Sequence, residues 1–276
     1  MSDTPKTAVI TGASDGIGAA AALALAGRGW QVAVVGRQSG KVHRVADAAG
    51  AAARPFVADF AVLADVRRLA GELSDAYPHV DILANNAGAL LGERTETVDG
   101  HETSFQVNHL APFLLTNLLR DRLVAAHGGV VNTSSVAHRN GRLDLGDPGL
   151  RTAWTRWSSY GLAKQANILF AAEINRRWGG DGVRGVSFHP GGVATGFAGD
   201  LATLTGRFYR SAFGKRVMRT PAQGADTLVW LSQLGPDAWV PGAYYVDRKP
   251  AKVASRSADA ELARRLWDVS AEWVGL

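Results

Sequence analysis

Short runs of consecutive apolar residues alternate with longer stretches whose apolar side chains recur every three or four positions, and the alternation continues through most of the chain. A run with no polar face suits a strand covered on both sides, whereas the longer spacing suits a helix with one buried stripe. Strands are thus predicted at residues 7–11, 31–36, 54–58, 80–84, 130–133, 185–188 and 243–246. Helices are predicted at about 17–28, 41–49, 63–77, 102–110, 112–126, 158–178 and 258–273. Thr220-Pro221-Ala222-Gln223 reads as a further helix start, with a capping threonine, proline in the first turn and glutamine placed for a capping box. Strands separated by helices pair in parallel, so the expected fold is a doubly wound α/β fold with helices on both faces of a parallel sheet. Residues 138–157 and 191–219 break the alternation, and the glycine-rich second segment, with its scattered aromatics, reads as a substrate lid.

No linker-like stretch, charge run or repeat divides the 276 residues, so residues 1–276 are read as a single domain. The absence of cysteine removes disulfides, thiolate zinc sites and a cysteine nucleophile, and the scattered histidines form no metal-ligand cluster. The first residues carry no signal-peptide pattern, and the longest small-apolar run, residues 19–26, is too short to span a bilayer, so the expectation is a cytoplasmic protein without a transmembrane segment. A net charge of +5 favours anionic ligands, but the basic residues are dispersed and no nucleic-acid module appears, so no nucleic-acid partner is expected.

Candidate chemistry begins at Thr11-Gly12-Ala13-Ser14-Asp15-Gly16-Ile17-Gly18, which follows the first predicted strand and opens the first helix. Glycines there allow a tight turn and close approach of backbone to a pyrophosphate, and the helix start supplies amide donors and positive dipole. The second strand ends in Val35-Gly36-Arg37-Gln38 with no acid to hold a ribose diol. Arg37, supported by Lys41 or Arg44, can instead accept a 2′-phosphate, which favours NADP(H) over NAD(H).

Tyr160 and Lys164 are four residues apart in a predicted helix and therefore share a face. A free phenol has a pKa of about 10, and a full positive charge about 4 Å away at an effective dielectric of about 20 contributes on the order of 4 kcal/mol towards ionisation. Such a pair can exchange protons near neutral pH. Strand alternation lets only one of Ser134 and Ser135 face the same site.

Together these residues resemble the short-chain dehydrogenase/reductase family. Thr11 to Gly18 resembles its cofactor turn, Asn85-Asn86-Ala87-Gly88 its fourth-strand motif, Asn108 its helix asparagine, Ser135 its catalytic serine, Tyr160 with Lys164 its catalytic pair, and Pro190-Gly191-Gly192-Val193-Ala194-Thr195 its nicotinamide segment. Gln106 to Leu110, Val131 to His138 and His189-Pro190-Gly191 are most similar to the retinol dehydrogenase-like branch, although Asp15 stands where many NADP-using members carry a basic residue.

The resemblance implies a single-domain Rossmann fold and hydride transfer between a nicotinamide and a carbonyl or secondary alcohol, with a hydrophobic or mid-sized substrate. A non-redox or regulatory dinucleotide-binding role is the alternative. By the same resemblance Tyr160 is the proton donor or acceptor, Ser135 donates to the carbonyl oxygen, Lys164 tunes Tyr160 and holds ribose, and Asn108 maintains a helix irregularity and a water leading to Lys164. The implied cofactor contacts are Gly12, Ser14, Asp15, Gly16, Ile17, Gly18, Arg37, Asp59, Phe60, Asn86, Ala87, Gly88, Tyr160, Lys164, Pro190, Gly191, Val193 and Thr195. Asp59 can equally cap the next helix, and Asn85 can be a turn residue. Trp154, Trp157, Phe197, Leu201, Leu204, Phe208, Tyr209 and Phe213 are candidate pocket residues, with Arg207, Arg210, Lys215 and Arg216 offering charge to an acidic group. Association as a homodimer or homotetramer is a further expectation from the resemblance.

Overall fold

Thr7–Thr11 forms β1, whose five residues are all buried, and the sheet is laid out on either side of it. The computed structural model describes residues 5–147, 149–193 and 218–276. β1 pairs in parallel with β2 (Gln31–Gly36) on one side and β4 (Ile82–Asn85) on the other. β3 (Ala53–Val57), β5 (Gly129–Thr133), β6 (Arg184–His189), β7 (Tyr244–Val246) and β8 (Lys249–Ala251) complete the sheet order β3-β2-β1-β4-β5-β6-β7-β8.

Alternate strand residues feed two cores, as the two-residue period of a strand requires. Ala8, Ile10, Val32, Val34, Ile82, Ala84 and Val131 pack beneath α1 (Gly16–Ala26), α2 (Ser39–Ala49) and α8 (Pro221–Leu234). Val9, Ala33, Val35, Leu83 and Val130 face α3 (Leu63–Ala76), α5 (Ala111–Leu118), α7 (Arg156–Trp178) and α9 (Ala260–Val274). The chain is thus a single-domain, Rossmann-type α/β fold. Its switch point lies between β1 and β4, where connections leave in opposite directions and open a crevice at the strands' carboxyl ends.

Three features depart from the sequence reading. The sheet is not wholly parallel: β8 runs antiparallel to β7 after a turn in which Asp247 and Arg248 have φ of 49° and 63°. Every residue of β8 is exposed and its centre is Pro250, which suits an edge and leaves no apolar pattern to read. The helix expected over 102–110 is instead a short α4 (Thr103–Phe105) followed by a π-helical turn, Gln106–Leu110. Pro112 has no N–H, so an α-helical register would leave the Asn108 carbonyl without its donor. The continuation expected over 112–126 is also split, into α5 and α6 (Arg120–Ala126). Among the described residues no helix is long and apolar enough to cross a membrane, and no cluster of acidic or histidine side chains could hold a metal ion.

Candidate active site

The glycine-rich turn fits a dinucleotide in two ways. Gly12 and Gly16 hold φ of 65° and 57°, and a Cβ on Gly12 would stand 2.8 Å from the Ala87 Cα, so the backbone approaches more closely than a side chain would permit. Asp15 caps α1 by accepting from the Gly16 amide at 2.7 Å, and the Ala19 amide bonds to the Asp15 carbonyl. Between them the Ile17 and Gly18 amides have no hydrogen-bond partner among the described residues, which suits an anion at a helix start.

One hydroxyl binds the two sides of the crevice together. Thr11 Oγ1 donates to the Ala84 carbonyl at 3.1 Å and accepts from the amides of Asn86 and Ala87, each at 3.0 Å. The Asn86 carboxamide donates back to the Thr11 carbonyl at 3.0 Å, so its side chain shapes the turn.

The remaining cofactor candidates are disposed unequally. Ser14 lies against Gly36, and Arg37 emerges exposed immediately after β2. Lys41, expected to support Arg37, reaches Asp15 instead at 3.3 Å. The Asp59 carboxylate accepts from the Ala61 amide at 3.0 Å, and the Phe60 ring is buried in the core. Arg219, whose side chain lies against Gly191 (φ 84°), donates to the Pro190 carbonyl and pairs with Asp247 at 2.7 Å. Val193 packs against α8 at Gly224. Thr195 and the lid candidates Phe197, Leu201, Leu204, Arg207, Phe208, Tyr209, Arg210, Phe213, Lys215 and Arg216 lie outside the described residues.

Gly88 is where the candidate cofactor turn meets the candidate proton-transfer groups. A Cβ there would stand 2.6 Å from Asn108 Oδ1 and 3.2 Å from Lys164 Nζ, so both atoms converge on this one glycine. Asn108 is fully buried, and its side-chain amide donates to the carbonyls of Ser104 at 2.8 Å and Ala89 at 2.9 Å. It therefore adds a side-chain bond to a carbonyl one turn back while tying the π-turn to the loop after β4.

Lys164 Nζ donates to the Thr133 carbonyl at 3.1 Å and lies 5.3 Å from the centre of the Tyr160 ring. Burial pushes its pKa down to about 7. At neutral pH the ammonium is therefore only partly protonated, and its electrostatic pull on the phenol is weaker than that of a full positive charge. Tyr160 is 8% exposed and packs with Leu90 and Ala137.

The two serines separate cleanly. Ser134 is buried and donates to the Lys164 carbonyl at 2.8 Å, whereas Ser135 is half-buried and accepts from the Ala137 amide at 3.3 Å. Among the described residues the Ser135 hydroxyl donates to no group, so its proton is available to another acceptor.

Two supporting residues, Asn167 and Glu102, escaped the sequence reading. Asn167 donates to the same Thr133 carbonyl as Lys164, at 3.1 Å. Its place three residues beyond Lys164, on the same helix face, was the available signal. His138 donates from Nδ1 to the Ser135 carbonyl at 2.7 Å. Glu102 is 3% exposed, and its carboxylate accepts from the Phe105 amide, Ser159 Oγ and the Trp154 indole at 2.7, 3.0 and 3.1 Å. It joins the helix bearing Asn108, the helix bearing Tyr160 and the loop before α7. His109 is structural: desolvation drives its pKa down to about 4, and it bridges Asn167 and Ser270.

An anion-seeking helix start, separated by one glycine-ended segment from a tyrosine and a buried lysine, is the layout of a nicotinamide-dependent oxidoreductase acting on CH–OH or C=O groups. Residues 6–204 match the short chain dehydrogenase family, and the chain belongs to it. It is 45% identical to "Putative daunorubicin C-13 ketoreductase DnrU" of Streptomyces sp. (strain C5), over 98% of this chain and 93% of that protein. It is 36% identical to human retinol dehydrogenase 13, over 98% of this chain and 85% of that one. Among solved structures, an uncharacterised protein of Mycobacterium paratuberculosis superposes with a TM-score of 0.78 at 30% identity, covering 99% of this chain and 96% of that one.

Proposed function

We propose that the protein is an NADP(H)-dependent carbonyl reductase or secondary-alcohol dehydrogenase for a hydrophobic or mid-sized substrate, of retinol dehydrogenase-like character. The convergence of Asn108 Oδ1 and Lys164 Nζ on Gly88, with Tyr160 packed beside them, carries the reading. When bound, the nicotinamide supplies or receives the hydride. Ser135 donates a hydrogen bond to the substrate oxygen and stabilises the charge that develops there. Tyr160 delivers the proton during reduction and removes it during oxidation. Lys164 holds the ribose and biases the phenol, and Asn108 fixes the π-turn behind it. The similarity to a protein named as a ketoreductase favours the reducing direction.

Arg37 is the proposed 2′-phosphate ligand. Its position after β2 and the absence of an acid there support this, and the Lys41–Asp15 pair leaves Arg37 as the principal cation. Titration of NADPH and NADH by fluorescence tests the assignment: NADPH should bind more tightly to the wild type, and Arg37→Ala should erase the difference. Cofactor oxidation with a panel of ketones, wild type against Tyr160→Phe, tests the chemistry, and turnover unaffected by the substitution would overturn it. Cytoplasmic residence and assembly as a homodimer or homotetramer complete the proposal, and light scattering of the purified protein measures the assembly.

A further inference from the structure

Large apolar side chains left exposed at two places adjoin the catalytic groups. Val136, 52% exposed, follows Ser135, and Trp157, 46% exposed, precedes Tyr160 by three residues. Positions three apart on a helix are neighbours, and the two rings lie 6.5 Å apart with planes inclined at 78°.

The backbone around Trp157 is held on both sides. Thr155 Oγ1 accepts from the Ser158 amide at 3.0 Å, and Ser158 Oγ accepts from the Thr155 amide at 2.8 Å, forming a capping box across Trp157. Upstream, the Trp154 indole N–H is committed to the buried Glu102 carboxylate. The two tryptophans therefore differ in role: Trp154 anchors the loop, and Trp157 leaves nearly half its surface uncovered beside the proton-transfer tyrosine. Leu90 and Ala137 extend the apolar lining around Tyr160.

We infer that Trp157, with Val136, forms a specificity surface that selects ketones carrying a flat apolar ring next to the carbonyl. The inference rests on the carbonyl chemistry proposed above. A substrate oxygen at Tyr160 places its nearest ring within the roughly 4.5–7 Å over which aromatic rings pair favourably with the indole. A small polar ketone would reach Ser135 and Tyr160 without touching Trp157.

Steady-state kinetics with acetylnaphthalene and hydroxyacetone under saturating NADPH separate the possibilities. Trp157→Ala should raise KM for acetylnaphthalene by about tenfold, with kcat changed by less than about twofold, because uniform binding is lost. The kcat/KM for hydroxyacetone should fall by much less than that for acetylnaphthalene, and Trp157→Phe should restore most of the acetylnaphthalene affinity. Equal effects on both ketones, no effect on either, or a wild type that reduces hydroxyacetone alone would overturn the inference while leaving the carbonyl reading intact. Turnover that survives Tyr160→Phe would remove the carbonyl reading and this inference with it.

Discussion

The Ser134 hydroxyl donates to the backbone carbonyl of Lys164 at 2.8 Å and fastens the end of β5 to the middle of α7. Its neighbour Ser135, half-buried and accepting from the Ala137 amide, is the serine proposed to meet a substrate. Ser134→Ala should cost about 1 kcal/mol of stability, typical of one lost internal hydrogen bond, and retain most activity. Ser135→Ala should fold normally and lose about 10²–10³-fold in kcat, as removal of an oxyanion donor does. Denaturant titrations beside turnover assays distinguish the two.

Lys164 couples the site to stability. Its folded pKa of about 7 lies below the ordinary 10.5, so the unfolded chain binds the extra proton between those values. The contribution is fully favourable above the unfolded value and is lost as pH falls through the folded one. Lys164→Met should therefore be inactive yet more stable than wild type at pH 7, with the two stabilities converging towards pH 10. Equilibrium urea unfolding across that range is the measurement.

His109 gives a second pH dependence with the same sign. Its folded pKa of about 4 against an ordinary 6.5 means that acid protonates the unfolded chain first, and stability falls between those values. At pH 5 the loss attributable to His109 is about 2 kcal/mol. Comparing wild type with His109→Gln at pH 7.5 and pH 5 should show a shallower acid decline in the variant. His189, also lowered to about 4 by burial, adds to the decline in both proteins.

Glu102→Gln preserves shape but turns an amide N–H2 towards either the Trp154 indole or the Phe105 amide, neither of which can accept. With three donors converging on this carboxylate, a loss of about 1–3 kcal/mol is expected. Because Ser159 precedes Tyr160, kcat should fall as well, whereas a change confined to the half-buried partner Trp154 should spare kcat. Thermal melts and single-turnover rates of both variants check this.

Much of the scaffold was legible because apolar runs and caps are local signals. Thr7–Thr11 and Gln31–Gly36 form strands at the boundaries read from sequence, and Thr220 with Gln223 forms the anticipated capping box. β8 gave no signal, because an exposed edge strand centred on proline needs no apolar face. The π-turn depends on a side chain competing with its own backbone, which residue periodicity does not encode. Glu102 reads as an ordinary solvated acid until folding brings Trp154 and Ser159 to it from more than fifty residues away. Trp154 and Trp157 look equivalent in sequence, and only the partner of the indole N–H separates them.

The Thr11 hydroxyl has a mechanical consequence. Prising β1 from the loop after β4 would break its bond to Ala84, both amide bonds it accepts, and the return bond from Asn86. These sit side by side at the crevice floor and would have to fail together. Four hydrogen bonds thus resist any widening of the crevice at this point, and a bulky hydroxyl-free residue at position 11 would remove the three that the Thr11 side chain makes.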